Sequence, residues 1–267
     1  MSVAETLLGL SLAMAAAWAW QRHTRNIGWV DVVWTLATAV AGVALAHAWS
    51  GPETSAMRRA IVCFVAAIWA MRLGLYVAMR VARTPEDGRY RALREDWGAR
   101  LQLRLFGFLQ LQALVALGLA AAIGLAATRP APGPDLKDVV GVALALIAIL
   151  GEALADRQLK MFAAEPAAAK RVCDRGLWAW SRHPNYLFEW LGWCAYPVMA
   201  IDLTGSNRQG WWALVAPALM FAVLRFGTGV PPLEAHMART RGAAWRAYCA
   251  RVPIFFPRPP VQESRTS

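Results

Sequence analysis

Long apolar stretches broken by short polar punctuation run the length of this chain. Seven of them, near residues 3–20, 27–49, 57–80, 104–127, 138–160, 185–203 and 211–233, are long enough to cross a hydrocarbon core, which takes about 20 helical residues. The pattern predicts an all-α, polytopic membrane protein with seven transmembrane helices in a single domain over residues 1–267. The sixth stretch is the weakest, because polar residues crowd its start and Pro197 falls inside it, where the ring removes a backbone hydrogen bond. Ala15, Ala16 and Ala17 in the first resemble a signal cleavage site. Glu5 precedes it without any Lys or Arg, so the positive n-region of a secretory signal is missing and the stretch reads as a retained helix.

Composition excludes an ordinary soluble domain: 58% of residues are hydrophobic, against roughly 45–50% in soluble proteins. Fourteen Trp residues suit the two bilayer interfaces, where indoles gather. With seven spans, 20 of the Lys and Arg residues fall on one side of the membrane and five on the other. Positive-inside sorting makes the basic side cytoplasmic, leaving the N-terminus outside and the C-terminus inside. High Ala and Arg usage points to a bacterial inner membrane. The net charge of +11 then needs no nucleic acid as partner; sorting and contact with anionic membrane lipids account for it, with an excess that also suits a phosphorylated ligand. The four Cys form no CxxC pair and share no ligand spacing with the four His, which predicts four free thiols and no metal site. The loop Thr128 to Lys137, with three Pro and one Gly, reads as a stiff external connection without chemistry.

The polar residues inside the apolar stretches carry the functional signal, because ionisable groups at membrane depth are costly without a partner or ligand. In SRHPNYLFEWLGW, residues 181–193, helical spacing stacks Asn185, Glu189 and Trp193 on one face. The third span sets Arg72, Tyr76, Arg80 and Arg83 at intervals of four, four and three. Snorkelling explains Arg80 and Arg83 as well as binding does; Arg72 lies about two turns deeper, and guanidinium groups in a row suit phosphate oxygens. The segment GEALADRQLK aligns Glu152, Asp156 and Lys160. An i, i+4 ion pair accounts for the last two, while carboxylates here also suit ribose hydroxyls or a carboxamide. Asp31 is the one ionisable group in NIGWVDVVW. Capping the helix end is its plain role; buried, a carboxyl of this kind keeps its proton and donates a hydrogen bond near neutral pH, as a general acid must. His183, held extended by the following Pro184, His236 and Tyr248 stand at the same side as further candidates or ordinary interface residues.

Taken in order, VDVVW, WAMRLGLYVAMR, EDGRY, EALADRQLK, GLWAWSRHPNYLFEW, PPLEAH and the segment from Tyr248 to Pro257 resemble the bacterial DUF1295 membrane proteins, which belong with the steroid 5-alpha-reductases. The resemblance runs from about residue 26 to residue 257. It implies a seven-helix reductase that binds NADPH from the cytosol and reduces the 4,5 double bond of a 3-oxo-4-ene steroid or similar lipophilic enone drawn from the bilayer. It places the nucleotide site at about residues 69–100 and 152–257 and the lipid cavity toward 27–80. Arg72, Tyr76 and Arg83 match the family's cofactor-contacting ladder; Asp156, Arg171, Asn185, Glu189 and Trp193 match further nucleotide contacts, and His236 is a looser match. Glu152, Lys160, His183 and Tyr248 join them as cofactor-side candidates. Asp31 falls where the family has the Glu that holds the substrate carbonyl. Trp69 stands where the family has a tyrosine; an indole donates a hydrogen bond but cannot deliver a proton, so either Asp31 acts alone or Tyr76 helps.

Two other classes use similar ingredients. An isoprenylcysteine-type carboxyl methyltransferase also has an RHPxY segment and would take S-adenosylmethionine. The acids of EALADRQLK, the arginine ladder and PPLEAH in place of paired acids weigh against it. A transporter also carries intramembrane ions, but the paired, Gly/Pro-broken segments of matching halves are missing.

Overall fold

The computed structural model describes residues 1–259 apart from 85, 87, 167 and 206, so Asp87 of EDGRY and Arg265 of the basic tail lie outside the described residues, as does the side chain of Arg89. Nine α-helices account for the described structure: α1 Val3–Thr24, α2 Trp29–Ala48, α3 Ala56–Arg83, α4 Gly88–Trp97, α5 Leu101–Ala127, α6 Leu136–Ala163, α7 Pro184–Ala200, α8 Val215–Phe226 and α9 Val230–Arg251. The chain is a multi-pass membrane protein, all-α among its described residues.

Among the described residues, six helical segments are long and apolar enough to cross a membrane: Val3–Thr24, Trp29–Ala48, Ala56–Arg83, Leu93–Ala127, Leu136–Ala163 and Arg208–Arg251. The count of seven expected from the apolar pattern therefore becomes six by length and composition. The expected sixth span is the difference. Its helix α7 has 17 residues with Pro197 inside, a length of about 25 Å at 1.5 Å per residue, short of a roughly 30 Å core. The expected seventh span is broken: α8 ends at Phe226 and α9 begins at Val230, and α9 itself bends at Gly242, whose φ of 49° is one that a side chain would strain.

The chain divides into two compact units, residues 1–145 with 193–219, and residues 146–192 with 220–267. In the first, α2 packs on α1, α3 and α5. Gly42 lets α5 come close, since a Cβ there would stand 2.6 Å from the Ile123 side chain. Leu10, Met14, Ile27, Leu45, Leu105 and Leu109 fill the interior between these helices. Helix α4 is short and charged, yet Tyr90, Leu93 and Trp97 join that core as an i, i+3, i+7 stripe.

The turns α2–α3 and α5–α6 meet at one end of this unit, bridged at Thr54 and Pro130. Here the proline-rich loop is not inert. Arg58, fully buried, donates through Nε to both oxygens of Asp138 at 3.0 Å, and through Nη1 and Nη2 to the carbonyls of Arg129 and Gly133 at 2.8 and 2.6 Å. Arg129 reaches the Met199 carbonyl at 2.7 Å and forks onto Asp135 with two bonds of 2.8 Å. Asp135 also caps α6, accepting from the Lys137 amide at 3.0 Å. The hydrogen-bonded Arg129 guanidinium holds the Asp135 carboxyl well below the usual carboxylate range. A depressed folded-state pKa adds stability that is complete above the unfolded value of about 3.9 and lost as pH falls below it. The thermal midpoint of purified protein is therefore expected to fall between pH 5 and pH 3, and Asp135→Asn should flatten part of that decline; parallel profiles would remove Asp135 as its source.

In the second unit, the last turns of α6 carry the loop to α7. Trp178 Nε1 donates to the Ala155 carbonyl at 3.0 Å, and the Leu177 amide to Gln158 Oε1 at 2.9 Å. Gly176, at φ 59°, sits against that Gln158 side chain with no room for a Cβ. The segment after α9 returns to the same loop: the Arg182 amide bonds the Pro253 carbonyl at 2.9 Å, the Arg258 amide the Trp180 carbonyl at 3.2 Å. Trp190, Phe221, Phe255 and Phe256 stack around it.

Candidate active site

In the first unit, the entry to α2 positions the acid. Asn26 Oδ1 accepts from the Gly28 amide at 2.9 Å, and the Ile27 amide donates to Glu86 Oε1 at 3.0 Å. These bonds fix the first turn, on which Asp31 stands. Tyr90 of α4 donates its phenol to Asp31 Oδ1 at 2.5 Å, at the short end of the range for an O–H donor. The Tyr90 ring is buried, with 6% of its surface exposed. A buried phenol held in place by an acid is a donor for a carbonyl oxygen.

Tyr90 is thus a hydrogen-bond partner of Asp31. Trp69, expected beside that acid, packs edge-to-face on Trp193 at 4.9 Å, with Trp193 tilted onto Tyr196 at 5.3 Å. Trp69 and Trp193 are both buried. Tyr76 lies between two arginines of its own helix: the guanidinium carbons of Arg72 and Arg80 are 5.5 and 6.0 Å from its ring centroid, within cation–π range. Arg83, in the last turn of α3, is exposed.

The second unit gathers the other candidates. Glu152 and Asp156 are buried on α6, and Lys160 one turn on is exposed. Asn185 donates to Asp156 Oδ1 at 3.3 Å, while its own Oδ1 accepts from the Tyr186 amide at 3.1 Å. Glu189 is buried one turn further along α7. His183 is also buried; its Nε2 is 3.0 Å from Glu234 Oε1, which Arg182 Nε meets at 3.2 Å, and its ring lies parallel to Tyr186. Burial pushes the imidazole below its ordinary pKa against the pull of Glu234. A neutral ring facing a carboxylate carries its proton on Nε2. Tyr248 is buried with its hydroxyl on the Trp178 carbonyl at 2.6 Å, tying α9 to the loop. His236 is half-buried on α9.

Arg171 and Arg175 are each more than half exposed, and their guanidinium carbons stand 5.5 and 5.6 Å from the Phe162 ring centroid. Both pair with Glu165, and the bond from Arg175 holds that carboxyl below its ordinary range. Guanidinium groups lying over rings, as here and at Tyr76, keep N–H donors at their edges for phosphate oxygens. Within the second unit, Arg171, Arg175 and the buried Asp156 and Asn185 pair are donors and acceptors of the kinds that suit a phosphorylated nucleotide.

Spacing along the chain does not reach Tyr90, Glu86, Glu234 or Arg175. Tyr90 lies 59 residues from Asp31, and the signal that could have found it is its place in the α4 apolar stripe, a tyrosine where an aliphatic residue would fill the core. All four cysteines are free.

No curated protein and no solved structure matches this chain. Residues 17–252 match the model of the family described as a protein of unknown function (DUF1295), and the chain belongs to that family, the steroid 5-alpha-reductase-like group.

Proposed function

We propose that this protein is a membrane reductase of the steroid 5-alpha-reductase type that uses NADPH to reduce the 4,5 double bond of a 3-oxo-4-ene steroid or a similar lipophilic enone. Family membership and the membrane-helical fold fit that class. The observation that carries the reading is the bond from Tyr90 to Asp31 at 2.5 Å, with the Tyr90 ring buried in the helical core. NADPH held by the candidate residues below would supply a hydride for the β carbon of the enone, and a proton from solvent would complete the α carbon. Negative charge then grows on the carbonyl oxygen. Tyr90 would turn its one hydroxyl hydrogen from Asp31 Oδ1 to that oxygen, with Asp31 fixing the place of the phenol. Donors fixed in place before charge develops lower the barrier most. The Tyr90 ring is buried, which strengthens a hydrogen bond made by its hydroxyl.

As candidates for cofactor contact we keep Arg72, Tyr76 and Arg83 in the first unit and, separately, Glu152, Asp156, Lys160, Arg171, Asn185 and Glu189 in the second. The guanidinium groups take phosphate oxygens and the acids take hydroxyl or amide hydrogens. Positive-inside sorting puts this nucleotide-binding side toward the cytoplasm.

The test is a thermal-shift titration of detergent-purified protein with NADPH, NADH and S-adenosylmethionine. A ligand that binds only the folded state stabilises it, by about 2.7 kcal/mol at one hundred times its Kd. NADPH is expected to raise the midpoint and S-adenosylmethionine to leave it unchanged; the reverse result would establish the methyltransferase class instead. Arg72→Ala and Glu189→Ala should each weaken NADPH binding by about tenfold or more, as the loss of a charge-assisted hydrogen bond does, with the ligand-free midpoint retained. Wild-type affinity in both would sink the assignment.

A further inference from the structure

Tyr90 reaches Asp31 only because the start of α4 is held against the start of α2. Two residues before α4, Glu86 makes the connection. Its Oε1 accepts the Ile27 amide at 3.0 Å, and its carboxylate takes Arg94 Nη2 at 2.9 Å and Arg94 Nε at 3.2 Å. Glu86 and Arg94 lie four residues on either side of Tyr90, so the phenol sits at the middle of a clamp that ends on the backbone just before Asp31. Ile27 is fully buried, and an amide donor in that setting is costly to leave without an acceptor. The Glu86 side chain is only 12% exposed against 42% for Arg94, so the contact that matters more is the inner one, with Ile27.

The remainder of α4 does not fix Tyr90 by itself. Leu93 and Trp97 anchor its later turns in the apolar core, whereas Tyr90 is the third residue of the helix, in the turn that frays first without a tie at its N-terminal side. A phenol displaced by about 1 Å no longer shares a short bond with the acid, and misplacement of that size costs far more in turnover than in binding.

The geometry points to Glu86 as a positioning residue: it sets the Tyr90 hydroxyl on Asp31 by clamping the start of α4 to the entry of α2. The role in turnover rests on the reading of Asp31 and Tyr90 as the carbonyl-holding pair; the clamp itself does not. The experiment uses full-length protein labelled with 3-fluorotyrosine, which gives five sites, with the Tyr90 fluorine resonance identified by its loss in Tyr90→Phe. In Glu86→Ala this resonance should move toward its position in Asp31→Asn, the other four staying in place. With progesterone and NADPH as the probe pair, kcat should fall about tenfold at unchanged NADPH affinity, as for a mispositioned catalytic group. Glu86→Gln, whose amide oxygen still accepts from Ile27, should stay within about threefold of wild type.

A Tyr90 resonance unmoved in Glu86→Ala, or equal losses in the Ala and Gln variants, would overturn the positioning role. If Glu86→Ala does not fold, Arg94→Met, which releases the exposed half of the clamp, should still shift the Tyr90 resonance, and an unmoved one overturns the role there too. Absence of enone reduction by wild type, with the resonance shifting as expected, would sink the reductase reading and leave the clamp standing.

Discussion

Tyr90→Phe is expected to lower kcat for enone reduction by about 10²–10³-fold, the usual cost of one donor to a developing oxyanion, with NADPH affinity and thermal midpoint close to wild type. The substitution keeps the ring that fills the α1–α2–α5 core and removes only the hydroxyl that meets Asp31 at 2.5 Å. Asp31→Asn should fall into the same range. Because Asp31 acts through the phenol of Tyr90, the double variant should be little worse than the poorer single one, which is the signature of groups that work as a unit. Trp69→Phe separates this pair from the position expected on family grounds. Its ring lies edge-on to Trp193, so its loss should register in stability and not in kcat. Single-turnover rates with NADPH and a 3-oxo-4-ene steroid decide the matter, and wild-type rates in Tyr90→Phe would remove the phenol from the mechanism.

Much of the candidate site was legible because charge inside an apolar run cannot be accidental. Asp31, Arg72, Glu152, Asp156 and Glu189 all declared themselves against a background of Val, Ala, Leu and Trp. Their partners were less legible. Helical spacing relates residues within one turn or two, so it could pair Arg72 with Tyr76 but not Asp31 with a phenol on another helix. Asp156 shows the same limit. Its neighbour by spacing is Lys160, which is exposed, while the bond it accepts comes from Asn185, 29 residues away. His183 stands among the cofactor-side candidates by its position; its ring is engaged with Glu234 and stacked on Tyr186, contacts that no local pattern encodes.

The fold was legible where length and hydropathy suffice. Six of the expected spans fall on segments long and apolar enough to cross a membrane, five of them on α1 to α3, α5 and α6 within a few residues and the last within Arg208–Arg251. The failures came where apolar content and helical geometry part company. Residues 185–203 are apolar enough, yet α7 is short and carries Pro197. Residues 211–233 lie in a segment long and apolar enough to span, but at Gly227 and Gly229 backbone atoms of Val223 and Leu224 stand so close that a Cβ would collide with them, and α8 gives way to α9 there. Hydropathy averages across both features without registering either.

The loop of residues 128–137 shows the same blindness in the other direction, and it carries the largest expected effect on stability. Arg58→Ala should destabilise the protein by about 3–5 kcal/mol, the cost of breaking a buried ion pair and stranding its partner, or roughly 10 °C in the thermal midpoint for a chain of this size. Arg58 is fully buried and Asp138 is 2% exposed, so Asp138 would be left as a carboxylate without solvent. Arg129 Nη2 also reaches Asp138, but at 3.3 Å and with its fork already on Asp135, so it compensates only in part. Arg58→Lys should recover little, because one ammonium cannot supply the planar donors that reach Asp138 and two carbonyls together. The pair of changes Arg58→Met and Asp138→Leu should cost less than Arg58→Met alone, since it removes both charges and leaves none buried. Thermal unfolding of the four variants in one detergent tests this. Equal midpoints for Arg58→Ala and wild type would show that the cluster adds no stability, and a double variant no better than Arg58→Met would show that the lost carbonyl contacts outweigh the stranded charge.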